Sequence, residues 1–170
     1  MFPPQGPDSS TVVFEGPVFR VEVERWGDRR RDVVRHPGAC AGVVIVEGGI
    51  LLVRQLREAV RRYLLEIPAG MYDVEGESAE DAMRREIAEE TGYRAATLEP
   101  LGHVLPSPGF SDERIDLFLC TAEPGGEPTE VGIEVLTVPF GRAVQMVEDG
   151  TIEDAKSIAA LLLAARREDG

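Results

Sequence analysis

Three glutamates, Glu86, Glu89 and Glu90, stand three and four residues apart in the segment that closes at Gly92. That spacing stacks side chains along one face of an α-helix. The segment has the ends of one: Ser78 with Asp81 three residues on forms a capping-box pattern, and Gly92 supplies a left-handed stop. Ala79, Ala82, Met83 and Ile87 recur at helical spacing and mark the face to be buried. At about 100° per residue, Glu86 and Glu90 fall in the middle of that apolar face and Glu89 at its edge. Carboxylates aimed at a core are costly unless protonation, arginines or a divalent cation neutralise them. Arg84 and Arg85 are both expected to project away from that face. Three carboxylates at i, i+3 and i+4 make an oxygen-rich cluster suited to Mg²⁺ or Mn²⁺. The stretch holds no Cys or His, which disfavours zinc. The plainer alternative is a solvated helix face carrying Glu–Arg pairs; the face shared with apolar residues tips the choice to metal.

The elements before and after this helix complete a pattern. The run Gly70 to Tyr93 resembles the Nudix box, G-x5-E-x7-R-E-U-x-E-E-x-G-U with U aliphatic, through Gly70, Glu77, Arg85-Glu86-Ile87, Glu89-Glu90 and Gly92. It departs twice: six residues separate Gly70 from Glu77, and Tyr93 takes the last aliphatic position. The resemblance implies an α/β/α sandwich of the α+β class, a mixed sheet between helices. It also implies two or three Mg²⁺ or Mn²⁺ ions held by Glu86, Glu89, Glu90 and the carbonyl of Ala69, with Arg85 orienting the carboxylates. Glu77 is expected to brace the junction of loop and helix. Downstream, SPGFSDE (residues 107–113) is similar to a loop of the ADP-ribose pyrophosphatase subgroup, which implies substrate contacts from Pro108, Gly109 and Phe110. In that subgroup a later loop provides the general base. Glu130 matches best by position, and Glu127 is next. The implied activity is hydrolysis of ADP-ribose to AMP and ribose 5-phosphate. Another nucleoside diphosphate sugar or dinucleotide is the alternative, and a non-catalytic nucleotide-binding domain a more distant one.

A basic group precedes the box. Arg54, Arg57, Arg61 and Arg62 gather in a chain of formal charge −13, with 31 acids against 18 bases. Arg57 is the best candidate to hold a phosphate, since guanidinium matches phosphate bidentately, and Arg54 is its companion. The overall charge argues against nucleic-acid and anionic-membrane partners. A chain of 170 residues is most simply one folded unit. We expect a loose tail over residues 1–10, an N-terminal antiparallel β extension over 11–36 and the catalytic domain over 37–170. Val18, Arg20, Glu22 and Glu24 alternate with Phe19, Val21, Val23 and Arg25, as in a half-exposed hairpin. By resemblance, this extension packs against a second copy to make a homodimer, with Trp26 or Phe19 a candidate to stack on adenine.

CAGVVIVEGG and ILLVRQLR read as central strands joined at Gly48-Gly49, followed by strands in YLLEIPAG, TLEPLGHVLP and RIDLFLCTAE. PFGRAVQMVEDG reads as a short amphipathic helix. A terminal helix over residues 153–167 is expected to bury Ile158, Leu161, Leu162 and Ala165. Both helices should cover the sheet without taking part in chemistry, with Lys156 and Ser157 at most edging the site. Cys40 and Cys120 lack metal-ligand spacing and read as reduced core residues, which with no apolar span or leader pattern suggests a cytoplasmic protein.

Overall fold

The computed structural model describes residues 6–168, so half of the expected tail lies outside the described residues. Continuous apolar runs form the centre of the larger sheet. β4 (Ala39–Val46) and β5 (Gly49–Arg57) make a hairpin whose register pairs Val44 with Leu51 and Val46 with Gly49. Almost every side chain from Ala39 to Val46 and from Ile50 to Val53 is buried, as expected of strands covered on both faces. β6 (Arg62–Glu66) pairs with β5, and the short β7 (Ala69–Met71) pairs with β4. Beyond lie β8 (Tyr93–Val104), β9 (Ile115–Pro124) and β10 (Glu134–Val138), giving the order β10-β5-β4-β9-β8. β4 and β9 run parallel and every other pair is antiparallel, so the sheet is mixed.

Helix α1 (Ala79–Thr91) buries Ala82, Met83 and Ile87 against Cys40, Val44, Leu51 and Cys120 on one face. α2 (Phe140–Glu148) and α3 (Ala155–Glu168) cover the other, where Ala143, Ala160, Leu161 and Ala164 meet Ala41, Val43, Ile50 and Leu52. The α/β/α sandwich is as expected, but α3 is rotated from its expected setting. Leu162 and Leu163 are exposed, and the buried stripe runs through Ser157, Ala160, Leu161 and Ala164. Small residues let α3 approach the sheet closely there, and Ser157 Oγ accepts a hydrogen bond from the Ile67 amide at 2.9 Å. Among the described residues no helix is long and apolar enough to cross a membrane.

A second, three-stranded antiparallel sheet comprises β1 (Ser9–Glu15), β2 (Arg20–Trp26) and β3 (Arg29–Arg35). Its burial inverts the usual alternation. Glu22 and Glu24 are the buried side chains of β2, while Val12, Val13, Phe14 and Phe19 are exposed. The acids are tolerated because Arg20, Arg35, Ser10 and Trp26 hydrogen-bond them, Arg20 Nε reaching Glu22 at 2.8 Å. Arg20 first, then Ser10 and Arg35, hold the Glu22 carboxyl down to about 2.

Candidate active site

The N-terminus of α1 closes as its sequence suggests. Ser78 Oγ accepts from the Asp81 amide at 3.1 Å and donates to the Asp81 carboxylate at 2.7 Å. At the other end Gly92 takes a φ of 73°, and a β-carbon there would lie 2.5 Å from the Gly126 carbonyl. Between these ends Glu86 and Glu90 point inward, 7% and 2% exposed. They face β7, where the chain passes so close that a β-carbon on Gly70 would sit 1.8 Å from Glu86 Cδ. The Ala69 amide donates to Glu90 Oε2 at 3.0 Å. The glycine of the Pro-Ala-Gly turn is thus a steric requirement of the buried acids.

Burial pushes the Glu90 carboxyl up to about 8; the Ala69 amide opposes the shift, and the charges of Glu130 and Glu86 add to it. Glu86 is raised as well, burial outweighing the attraction of Arg85. Arg85 does not project away as expected. Its Nη1 reaches Glu86 at 2.6 Å and Glu89 at 3.0 Å, and its Nε and Nη2 reach Glu77 at 3.2 and 3.1 Å. A side chain of this length can fold back along the helix, so the direction of its Cα–Cβ bond does not decide where its charge lies. Arg84 does turn aside, donating to the Ala95 carbonyl. The residue inserted between Gly70 and Glu77 is absorbed in a turn where Gly76 takes a φ of 81°. Asp73 gives Arg85 a further partner at 2.9 Å, and Tyr72 is tied to Asp116 at 2.8 Å.

The loop between β9 and β10 folds onto the end of α1, the amides of Thr129 and Glu130 both donating to the Glu89 carbonyl. A last-turn carbonyl without a helical partner is thereby satisfied. This brings the Glu130 charge close enough to raise both Glu86 and Glu90. Glu127 instead lines a recess with Gly92, Tyr93 and Arg94. Beside the acids lies a groove of about 420 Å³ lined by Arg57, Glu66, Ala69, Gly70, Glu113 and Lys156, among others. Glu66, 1% exposed, holds Arg57 bidentately at 2.8 and 2.6 Å and also accepts from Lys156. Burial pushes this carboxyl up, but the two cations outweigh it and keep it below the ordinary range.

Arg54 does not join Arg57. Three residues apart on a strand, the two point to opposite faces. Arg54 pairs with Glu134 at 3.0 Å and lies over the Tyr63 ring, and Arg62 pairs with Glu153. Pro108, Gly109 and Phe110 line a separate cleft with Trp26, Arg31 and Arg35, and only the flanking Pro106 and Glu113 reach the groove. Lys156 and Ser157 take a larger part than expected, since both stitch α3 to the end of β6. No sequence signal marked Asp73, Tyr72 or Asp116; Glu66 is placed by sequence where it could reach the metal site or simply be paired, and it is paired, with Arg57 and Lys156.

The donor set suits a hard cation. Glu86, Glu89, Glu90 and the Ala69 carbonyl supply oxygen donors, and among the described residues no arginine or lysine lies within ion-pair reach of Glu90, its one hydrogen bond coming from Ala69. No three acidic, His or Cys side chains among the described residues already converge on one point, and Glu86 and Glu89 share Arg85. A buried carboxylate with no cation within ion-pair reach, beside a second one, fits a site whose charge a divalent ion completes.

The family model described as NUDIX domain matches residues 35–162. The chain belongs to the Nudix family. Among Nudix relatives, it is 35% identical over 147 residues to the ADP-ribose pyrophosphatase of Bacillus subtilis, covering 83% of this chain and 79% of that one. It is 33% identical to the ADP-ribose pyrophosphatase of Mycobacterium tuberculosis, covering 91% of this chain and 80% of that one. It is also 31% identical to the methanol dehydrogenase activator of Bacillus methanolicus, covering 88% and 86%. A solved structure described as an ADP compounds hydrolase superposes with a TM-score of 0.77 at 22% identity over 98% of both chains, a likeness of fold.

Proposed function

We propose that this Nudix hydrolase cleaves the diphosphate of ADP-ribose to AMP and ribose 5-phosphate. The observation that carries the reading is the pair of buried carboxylates, Glu86 and Glu90, set against the Ala69-Gly70 backbone beside the groove that holds Arg57. Glu86, Glu89, Glu90 and the Ala69 carbonyl hold two or three Mg²⁺ or Mn²⁺ ions in this reading. Bound there, such ions neutralise a diphosphate and ease ionisation of water. Arg57, kept in place by Glu66, orients the phosphates. Glu130 takes the proton from the attacking water. Arg85 aligns Glu86 and Glu89 through its shared Nη1. The choice of ADP-ribose is supported by the relatives that bear that name. The protein is read as a cytoplasmic homodimer, supported by the two unpaired thiols, Cys40 and Cys120, and by the exposed Val12, Phe14 and Phe19.

A parallel assay of ADP-ribose, GDP-mannose, NADH and diadenosine polyphosphates with Mg²⁺ tests the substrate. ADP-ribose should give the highest kcat/KM with AMP as product. A higher value for any other member would reassign the substrate, and tight nucleotide binding without turnover would remove the enzymatic reading.

A further inference from the structure

The loop from Ser107 to Glu113 is bound along its middle to β3 of the N-terminal sheet. The Val34 amide donates to the Phe110 carbonyl at 2.7 Å and the Asp112 amide to the Val34 carbonyl at 3.1 Å, so Val34 and Ser111 form a parallel bridge. Two backbone hydrogen bonds fix a pairing weakly. Asp112 adds two charge-assisted ones: Oδ1 accepts from the His36 amide at 2.9 Å and Oδ2 from Arg35 Nη1 at 3.2 Å. Arg35 is held from the far side as well, its Nε by Glu22 at 3.2 Å and its Nη2 by Glu24. Each guanidinium nitrogen therefore meets a different carboxylate, two from β2 and one from the loop. An arginine that served only to neutralise Glu22 and Glu24 would not need the third.

We infer that Arg35 is a positioning residue for the substrate: through Asp112 it locks residues 107–113 to the N-terminal sheet, holds the adjoining Glu113 where it lines the groove, and so sets how tightly the groove holds a nucleotide sugar. The inference rests on the reading of this groove as the substrate site. Arg35→Ala would leave two buried acids unpaired and risks unfolding the sheet, so the decisive variant is Asp112→Asn. It keeps an oxygen for the His36 amide and leaves Arg35 paired with Glu22 and Glu24. With ADP-ribose, KM should rise roughly tenfold while kcat stays within about twofold, the mark of lost binding rather than lost chemistry. Hydrogen exchange at the Asp112 and Val34 amides should quicken, and Arg35→Lys should fall between wild type and Asp112→Asn in both readouts. Unchanged KM, unchanged exchange, or a fall in kcat at constant KM would overturn the inference. If the wild type prefers another nucleotide sugar, that result removes only the ADP-ribose assignment. The same comparison is then made with the preferred substrate, and the exchange measurement is independent of either.

Discussion

Glu90→Gln should make the protein more stable in chelator while making it incapable of its reaction. Glu90 is buried, and its carboxyl is raised from 4.5 to about 8. Below pH 4.5 it is protonated in folded and unfolded chains alike, and it imposes no penalty. As pH rises towards 8 the unfolded chain releases the proton first, so the stability of the parent declines across that window. At 1.36 kcal/mol per pKa unit, the penalty is roughly 3 kcal/mol at pH 7, approaches ~5 kcal/mol above pH 8 and falls below about 1 kcal/mol at pH 5. Glutamine carries no charge and keeps an oxygen for the Ala69 amide, so the substitution removes most of this penalty. For a chain of this size each kcal/mol moves Tm by about 2–4 °C, which places the variant roughly 8–16 °C above the parent at pH 8 in chelator. Excess Mg²⁺ should close or reverse the gap, because an ion that binds only the folded parent raises its stability. Calorimetric melting at pH 5, 7 and 8, with chelator and then with Mg²⁺, measures all of this. A variant less stable than the parent at pH 8, or a gap indifferent to pH, would refute the reasoning.

Four further outcomes are expected. Gly70→Ala places a β-carbon 1.8 Å from Glu86 Cδ, so Tm should fall by the equivalent of about 1–3 kcal/mol, with weakened Mg²⁺ binding by calorimetry. Glu130→Gln should lower kcat by ~10²–10⁴ with little change in KM, whereas Glu127→Gln should stay within about twofold in steady-state assays. Glu22, held down to about 2 against an ordinary 4.5, stabilises the N-terminal sheet above pH 4.5, and that contribution is lost as pH falls from 4.5 towards 2. Trp26 is the sole tryptophan and is hydrogen-bonded to Glu24 beside it, so its fluorescence should report this acid transition, which Glu22→Gln should flatten. Light scattering should give twice the chain mass; a monomer would remove the dimer reading.

The site was legible where local rules act alone. The cap at Ser78, the stop at Gly92 and the inward turn of Glu86 and Glu90 follow from helical geometry, and the buried central strands from their unbroken apolar runs. Where long side chains choose among distant partners, the pattern was silent. Arg85 reaches back to four carboxylates, and Arg54 leaves Arg57 for Glu134 across a strand pair. Alternation in β2 could not say which face is buried, since Arg35, a residue of another strand, makes the acidic face the inner one. The setting of α3 depended on small residues, Ala160 and Ala164, rather than on its leucines. Position along the chain ranks Glu130 ahead of Glu127, but it could not show that the Thr129 and Glu130 amides cap the end of α1.

The most direct test follows ADP-ribose by phosphorus NMR in a single tube. With protein and chelator the diphosphate signals should persist, and adding excess Mg²⁺ should convert them to the two monoester signals of AMP and ribose 5-phosphate. Cleavage at the same rate before and after Mg²⁺ would contradict the claim that the inward carboxylates of α1 work by receiving a divalent cation.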